Sequence, residues 1–135
     1  HENLDENIEV EVDRVRFEQV MRNLLTNAIK FTEKGIIKVA THANFEKEKL
    51  IVIVSDSGLG IPEEVLPNVF GKFVTKGHTQ ENQSGTGLGL FLCKGIIQAH
   101  GGEIFAKNNS ESGASFEFTI PISQKILQSQ EALNK

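Results

Sequence analysis

The sequence predicts a single α/β domain, more narrowly α+β, and three observations carry that prediction. A strictly alternating stretch, Ile8-Glu9-Val10-Glu11-Val12, runs directly into a long helix-period pattern that begins at Asp13. Two β-branched apolar runs, Ile36 to Thr41 and Leu50 to Ser55, are separated by a mostly polar stretch and pair naturally as an antiparallel hairpin. A second helix-period run ending at His100 is followed by two more strand-like stretches, Glu103 to Lys107 and Ala114 to Ile120.

In chain order, Ile8, Val10 and Val12 form the inward face of a first strand. Asp13 offers an N-cap to the strongest helix of the sequence. There Phe17, Val20, Met21, Leu24, Leu25, Ala28 and Ile29 recur at i, i+3, i+4 over roughly three and a half turns, and Gly35 closes the element. Arg16, Asn23, Asn27 and Lys30 gather at one edge of its apolar stripe. Asparagine is a mediocre helix residue, so two of them one turn apart have two readings: a solvated face, or amide oxygens for a hard cation with Lys30 and Arg16 for anionic oxygen.

After the hairpin, Asp56-Ser57-Gly58-Leu59-Gly60-Ile61-Pro62 ends a buried strand in an acid and a glycine turn. That acid reads either as a turn cap or as a ligand-facing carboxylate. Pro62 opens a short helix expected over Glu63 to Phe70. Phe70 and Phe73 are expected to anchor a mobile loop, since Thr75 to Ser84 has little to bury. Gly85-Thr86-Gly87-Leu88-Gly89-Leu90 then leads into a helix whose apolar positions are Leu88, Leu92, Ile96 and Ile97. Alternating glycines at a helix start serve either tight packing or an anion, because unpaired N–H groups and a partial positive charge meet there. A Walker loop is excluded by the lack of a following Gly-Lys-Ser/Thr, and a dinucleotide fingerprint by the lack of a leading strand. Pro121 ends the fold. Residues 1–122 are expected to be one domain and residues 123–135 a polar tail or short helix.

Composition narrows the function. With 135 residues and 39% hydrophobic content the chain supports one real core. A net charge of −4 without a dense basic cluster argues against nucleic acid as a partner. Apolar runs are far too short to span a bilayer, so no membrane contact by this domain is expected. The single cysteine, Cys93, makes no internal disulfide and fits a reducing, cytoplasmic setting. The four histidines lack metal-ligand spacing.

Four stretches, in order, carry a resemblance to a known family. They are Asp13 to Thr32 with Asn23-Leu24-Leu25-Thr26-Asn27-Ala28-Ile29-Lys30-Phe31, Asp56 to Ile61, Phe70 to Phe73, and Gly85 to Leu90. They resemble the N box, first glycine box, F box and second glycine box of the ATP-binding catalytic domain of sensor histidine kinases, in the GHKL superfamily. The match spans about residues 8 to 122. It implies a two-layer sandwich with helices on one face of a mixed, mostly antiparallel sheet, the Bergerat ATP-binding fold, and ATP and Mg²⁺ as cofactors. By resemblance, Asp56 accepts a hydrogen bond from the adenine amino group, with Gly58, Gly60 and Ile61 shaping the turn beside the base. Guanine presents a carbonyl there, and two facing acceptors cost on the order of 1 to 3 kcal/mol. Asn27 binds Mg²⁺, Asn23 supports it, Lys30 and Lys76 reach phosphate, and Phe31 packs toward the adenine. Gly85, Thr86, Gly87, Leu88, Gly89 and Leu90 form the phosphate-side loop, with the amides of Gly87 to Gly89 receiving phosphate. Thr119 matches a position that reaches the adenine pocket through water. Two departures are visible: Val74 stands where many members have an aromatic, and the segment from Lys76 to Ser84 lacks an arginine.

The implied reaction passes the ATP γ-phosphoryl group to a histidine on a dimerisation domain of the same full-length protein, and from there to a response regulator. No helical His-Glu-x-x-x-Pro stretch is present here, so the chain is expected to be the catalytic domain of a longer kinase. Two rivals from the superfamily are an ATPase clamp and a serine kinase. Several clamps carry a glutamate four residues before the Mg²⁺-binding asparagine, where this chain has Asn23, and an amide takes up no proton near neutral pH.

Overall fold

The computed structural model describes residues 9–74 and 87–123. The elements run α1 (Arg14–Phe31), β1 (Ile37–Asn44), β2 (Lys49–Asp56), a 3₁₀ turn at Leu66–Asn68, α2 (Gly89–Ala99), β3 (Ile104–Asn108) and β4 (Ala114–Pro121). The strands form one four-stranded sheet in the order β1-β2-β4-β3, and each described pairing is antiparallel. Both helices pack on the same face of it, giving two layers.

Register explains the core. Val54 sits opposite Phe116, Val52 opposite Phe118 and Leu50 opposite Ile120, so these side chains share one face. The helices supply Val20, Leu24 and Ala28 from α1 and Cys93 and Ile97 from α2. Phe118 is fully buried, with the Phe17 ring edge-on at 6.0 Å. Asp13 caps α1 as expected, its Oδ1 accepting from the Arg16 N–H at 3.2 Å. His100 ties the two helices: its Nδ1 lies 2.8 Å from the Ile96 carbonyl, and its Nε2 accepts from the Asp13 N–H at 3.0 Å.

Several expectations are corrected. The strand over Ile8 to Val12 is, among described residues, one bridge between Val10 and Ile122, and Ile8 lies outside the described residues. Ile122, past Pro121, is therefore part of the fold and is buried. Helix α1 stops at Phe31 with Thr32 as its C-cap, four residues before Gly35. The helix expected over Glu63 to Phe70 shrinks to the 3₁₀ turn, because Pro67 has no N–H to continue a helix and restricts Leu66. In α2 the buried positions are Cys93 and Ile97, while Leu92 is exposed: the face is turned by about one residue from the pattern expected. Phe70 packs edge-on against Phe116, but the Phe73 ring is 71% exposed and anchors nothing by burial. The loop expected over Thr75 to Ser84 and the tail from residue 124 lie outside the described residues.

Candidate functional site

The polar edge of α1 faces the start of α2. Asn23 and Asn27 are half-buried, whereas Arg16 and Lys30 are exposed. The Asn23 amide nitrogen lies 3.5 Å from the Gly89 carbonyl, and a Cβ on Gly89 would come within 3.8 Å of that amide. Asn23 thus rests against the first residue of α2. The Asn27 amide nitrogen is buried without a hydrogen-bond partner, and so is the Thr32 hydroxyl. An unmet buried polar atom costs about 1 to 3 kcal/mol, which a bound polar ligand would relieve. Arg16 donates to the Gln19 side chain on its own helix at 3.0 Å, and the Lys30 ammonium lies 5.4 Å from the centre of the Phe31 ring.

Asp56, at the end of β2, is 5% exposed. Its Oδ1 accepts from the Gly58 N–H at 3.0 Å and the Ala114 N–H at 3.3 Å. No described residue donates to Oδ2. One carboxylate oxygen holds the backbone, and the other keeps its lone pairs for a donor. The glycine turn beyond it packs on the end of α1, where a side chain at Gly58 would collide with the Phe31 carbonyl. Ile61 is buried beside this turn.

The phosphate-side loop is closed by backbone. Gly87 has φ +74, and a Cβ there would lie 2.6 Å from Phe73 Cα, a contact that excludes any side chain. The Phe73 N–H donates to the Gly87 carbonyl at 2.9 Å. The F box therefore meets the second glycine box through main chain rather than through the Phe73 ring. Helix α2 begins at Gly89 with no side-chain cap from Leu88 and no acid in its first turn, so no first-turn side chain offsets its positive pole. Leu90 is half-buried in that turn. Lys76, Gly85 and Thr86 lie outside the described residues.

Thr119 is not brought to this site. It pairs with Ile51, five residues from Asp56 along β2 and so about 16 Å away, on the opposite face of the sheet. Its hydroxyl accepts from the Glu103 N–H at 3.1 Å. The residue of β4 that reaches Asp56 is Ala114. Residues with no local signature that do reach the first glycine box are Asn108, Asn109, Ser112 and Gly113 in the β3–β4 turn. A 330 Å³ cavity also touches Asp56, but its other walls are Ile36, Lys38, Ser55, Ser57 and that turn, and neither Asn23 nor Asn27 lines it. Burial lifts the Cys93 thiol to about 11, partly offset by the Asn23 side chain, so this cysteine is an inert packing group. Among the described residues no group of three acidic, histidine or cysteine side chains could hold a metal. No described helix is long and apolar enough to cross a membrane.

A helix edge of amides, a half-engaged buried acid and an uncapped glycine helix start, drawn together by one antiparallel sheet, define a nucleotide-binding domain of the GHKL type. Residues 12–124 match the family described as histidine kinase-, DNA gyrase B-, and HSP90-like ATPase, and the chain belongs to that family. Within it the chain is a histidine kinase catalytic domain. It is 46% identical over 119 residues to the sensor protein KdpD of Clostridium acetobutylicum, covering 84% of this chain and 13% of that protein. It is 37% identical over 124 residues to the sensor histidine kinase WalK of Bacillus subtilis, covering 90% of this chain and 20% of that protein. The solved catalytic domain of the histidine kinase ThkA superposes with a TM-score of 0.73 at 41% identity, covering 87% of this chain and 74% of that one. The chain thus spans a fifth or less of the two full-length sensor proteins it matches here.

Proposed function

We propose that this chain binds Mg²⁺-ATP between α1 and the start of α2 and donates the γ-phosphoryl group to a histidine on a dimerisation domain of its full-length protein. A response regulator receives the group next. Residues 1–122 act as the catalytic domain and residues 123–135 as its tail, in the cytoplasm, without contact to nucleic acid or membrane. The observation that carries the reading is the state of Asp56: buried, with Oδ1 saturated by two backbone N–H groups and Oδ2 open. A carboxylate oxygen only accepts, so the matching ligand edge is a donor, as the adenine amino group is.

The other roles are those the family resemblance implies: Phe31, Gly58, Gly60 and Ile61 border the base, while Lys30, Lys76 and the loop from Gly85 to Leu90 serve the phosphates. Asn27 stands on the magnesium side, where its amide oxygen is the ligand and its unmet Nδ2, a donor, suits a phosphate oxygen, and Asn23 supports it from the Gly89 contact. Mg²⁺ is commonly held by few protein ligands together with phosphate oxygens and water, so a single amide oxygen is enough on the protein side. When bound, the ion neutralises charge on the transferring group. Asn23 supplies no base for water, which favours transfer over hydrolysis.

The test combines this chain, a dimerisation domain and labelled ATP. Acid-labile label should appear on the histidine domain. Acid-stable label would replace the reading with a serine kinase, and steady phosphate release by the chain alone at about 1 per second or faster would replace it with an ATPase clamp.

A further inference from the structure

We infer that the β3–β4 turn is the positioning element of the base pocket, and that Asn108 is the residue through which it sets nucleotide selectivity. The inference rests on the reading that Asp56 receives the adenine amino group. Asn108 stands 47 residues from its partner, yet its side chain meets both polar atoms of one peptide position: Oδ1 accepts from the Ile61 N–H at 2.7 Å, and Nδ2 donates to the Ile61 carbonyl at 2.8 Å. A side-chain amide engaging N–H and C=O together fixes the peptide in distance and rotation, as a strand neighbour would.

The rest of the turn acts on the other end of the same loop. Asn109 Nδ2 donates to the Asp56 carbonyl at 3.0 Å, and Asn109 is itself held by the Ser115 hydroxyl at 2.6 Å. The Ser112 hydroxyl donates to the Ser57 carbonyl at 3.3 Å. Gly113, at φ +82, lies so close that a Cβ would strike the Asp56 carbonyl and come within 2.8 Å of Oδ1. The Ala114 N–H closes the set on that oxygen.

The loop from Asp56 to Ile61 is therefore gripped at both ends by one hairpin turn, while its middle carries Gly58 and Gly60, residues with little conformational preference of their own. At Gly60, φ is +79, and a Cβ would come 3.0 Å from Asn108 Oδ1, so the glycine and the clamp fit each other. The direction in which Asp56 Oδ2 points is then set by the Gly58 and Ala114 N–H groups on Oδ1, and the turn both leads into Ala114 and braces the loop that carries Gly58. Asn108 touches no base and is a positioning residue.

Binding of a non-hydrolysable ATP analogue and its guanine counterpart to this chain, followed by calorimetry, tests the inference. Asn108→Ala should lower the preference for the adenine form by about tenfold to a hundredfold, the scale expected when a recognition group is misplaced by about an ångström. Asn108→Asp keeps the size and the acceptor but sets a carboxylate oxygen against the Ile61 carbonyl; it should lose selectivity too, and it carries the test if Asn108→Ala does not fold. Ile104→Val, in the core of β3, controls for lost stability and should keep the preference. Selectivity unchanged in the foldable Asn108 variant, or lost equally in Ile104→Val, overturns the inference. If Asp56→Asn abolishes selectivity while Asn108 variants keep it, the base-pocket reading survives and the clamp alone falls. If Asp56→Asn also leaves selectivity intact, both fall.

Discussion

Asp56→Asn separates the structural and recognition roles of one carboxylate. Two backbone N–H groups, of Gly58 and Ala114, converge on Oδ1 at 3.0 and 3.3 Å. In the variant the amide oxygen must take that place, because an NH₂ group there would face two donors. The NH₂ group is thereby forced into the position of Oδ2, toward the base. A donor then meets the adenine amino donor. The loss comprises a charge-assisted hydrogen bond of about 1.5 to 3 kcal/mol and the desolvation of groups left unpaired, about 1 to 3 kcal/mol. Their sum, roughly 2.5 to 6 kcal/mol, weakens ATP-analogue binding by about seventyfold to some twenty-thousandfold. A guanine carbonyl, by contrast, gains a donor, so the guanine analogue should bind about tenfold tighter to the variant than to wild type. Calorimetric titration of both analogues reads both effects, with circular dichroism confirming that the retained Oδ1 bonds keep the fold. Adenine-analogue affinity within about threefold of wild type in a folded variant would refute the reasoning.

Three further outcomes follow from named contacts. Asn27→Ala removes a buried amide that has no partner, so thermal stability should hold or rise slightly, while the Mg²⁺-dependent part of nucleotide affinity falls about tenfold or more; titrations with and without Mg²⁺ check this. Gly113→Ala places a methyl against the Asp56 carbonyl at φ +82 and should cost about 2 kcal/mol or more, read from urea midpoints. Burial raises the Cys93 thiol from 9.0 to about 11, so the folded state keeps a proton that the unfolded chain releases. That stability is complete below pH 9 and fades as pH rises toward 11, by up to roughly 2 to 3 kcal/mol. Urea midpoints should fall across this window in wild type and less steeply in Cys93→Ala.

What was legible in the sequence is what local chemistry dictates. The period and N-cap of α1, the β1–β2 hairpin and the glycine-led start of α2 each depend on residues within a few positions of one another. The site residues that could be singled out, Asn23, Asn27 and Asp56, are polar groups in patterns that otherwise bury apolar ones. The brace had no such mark. Asn108 to Gly113 reads as an ordinary polar turn, since nothing near it in the chain tells that its partners lie at Asp56, Ser57 and Ile61. Thr119 is carried over by resemblance from its place near the end of the last strand, and only its pairing with Ile51 of β2 shows that it sits away from Asp56. The helix expected at Glu63 to Phe70 overlooked Pro67, and the anchor expected of Phe73 overlooked its φ of +62, which turns the ring outward.

The two halves of the site are built in different materials, and that difference assigns their tasks. On the proposed base side the Asp56 carboxylate is held by the backbone N–H groups of Gly58 and Ala114, and the turn after β3 braces its loop through the side chains of Asn108, Asn109 and Ser112, so small shifts there would change which base fits. On the phosphate side the fixed parts are main chain: Gly87 against Phe73, and the first N–H groups of α2. Backbone dipoles align charged oxygens but exchange no protons, and Asn23, whose amide rests on the Gly89 carbonyl, adds no proton acceptor. On the proposed reading these described groups orient and neutralise a γ-phosphoryl group and leave the nucleophile to the histidine domain. On the proposed reading, mutations around Asp56 should therefore alter selectivity, whereas mutations around the start of α2 should alter the rate of phosphoryl transfer.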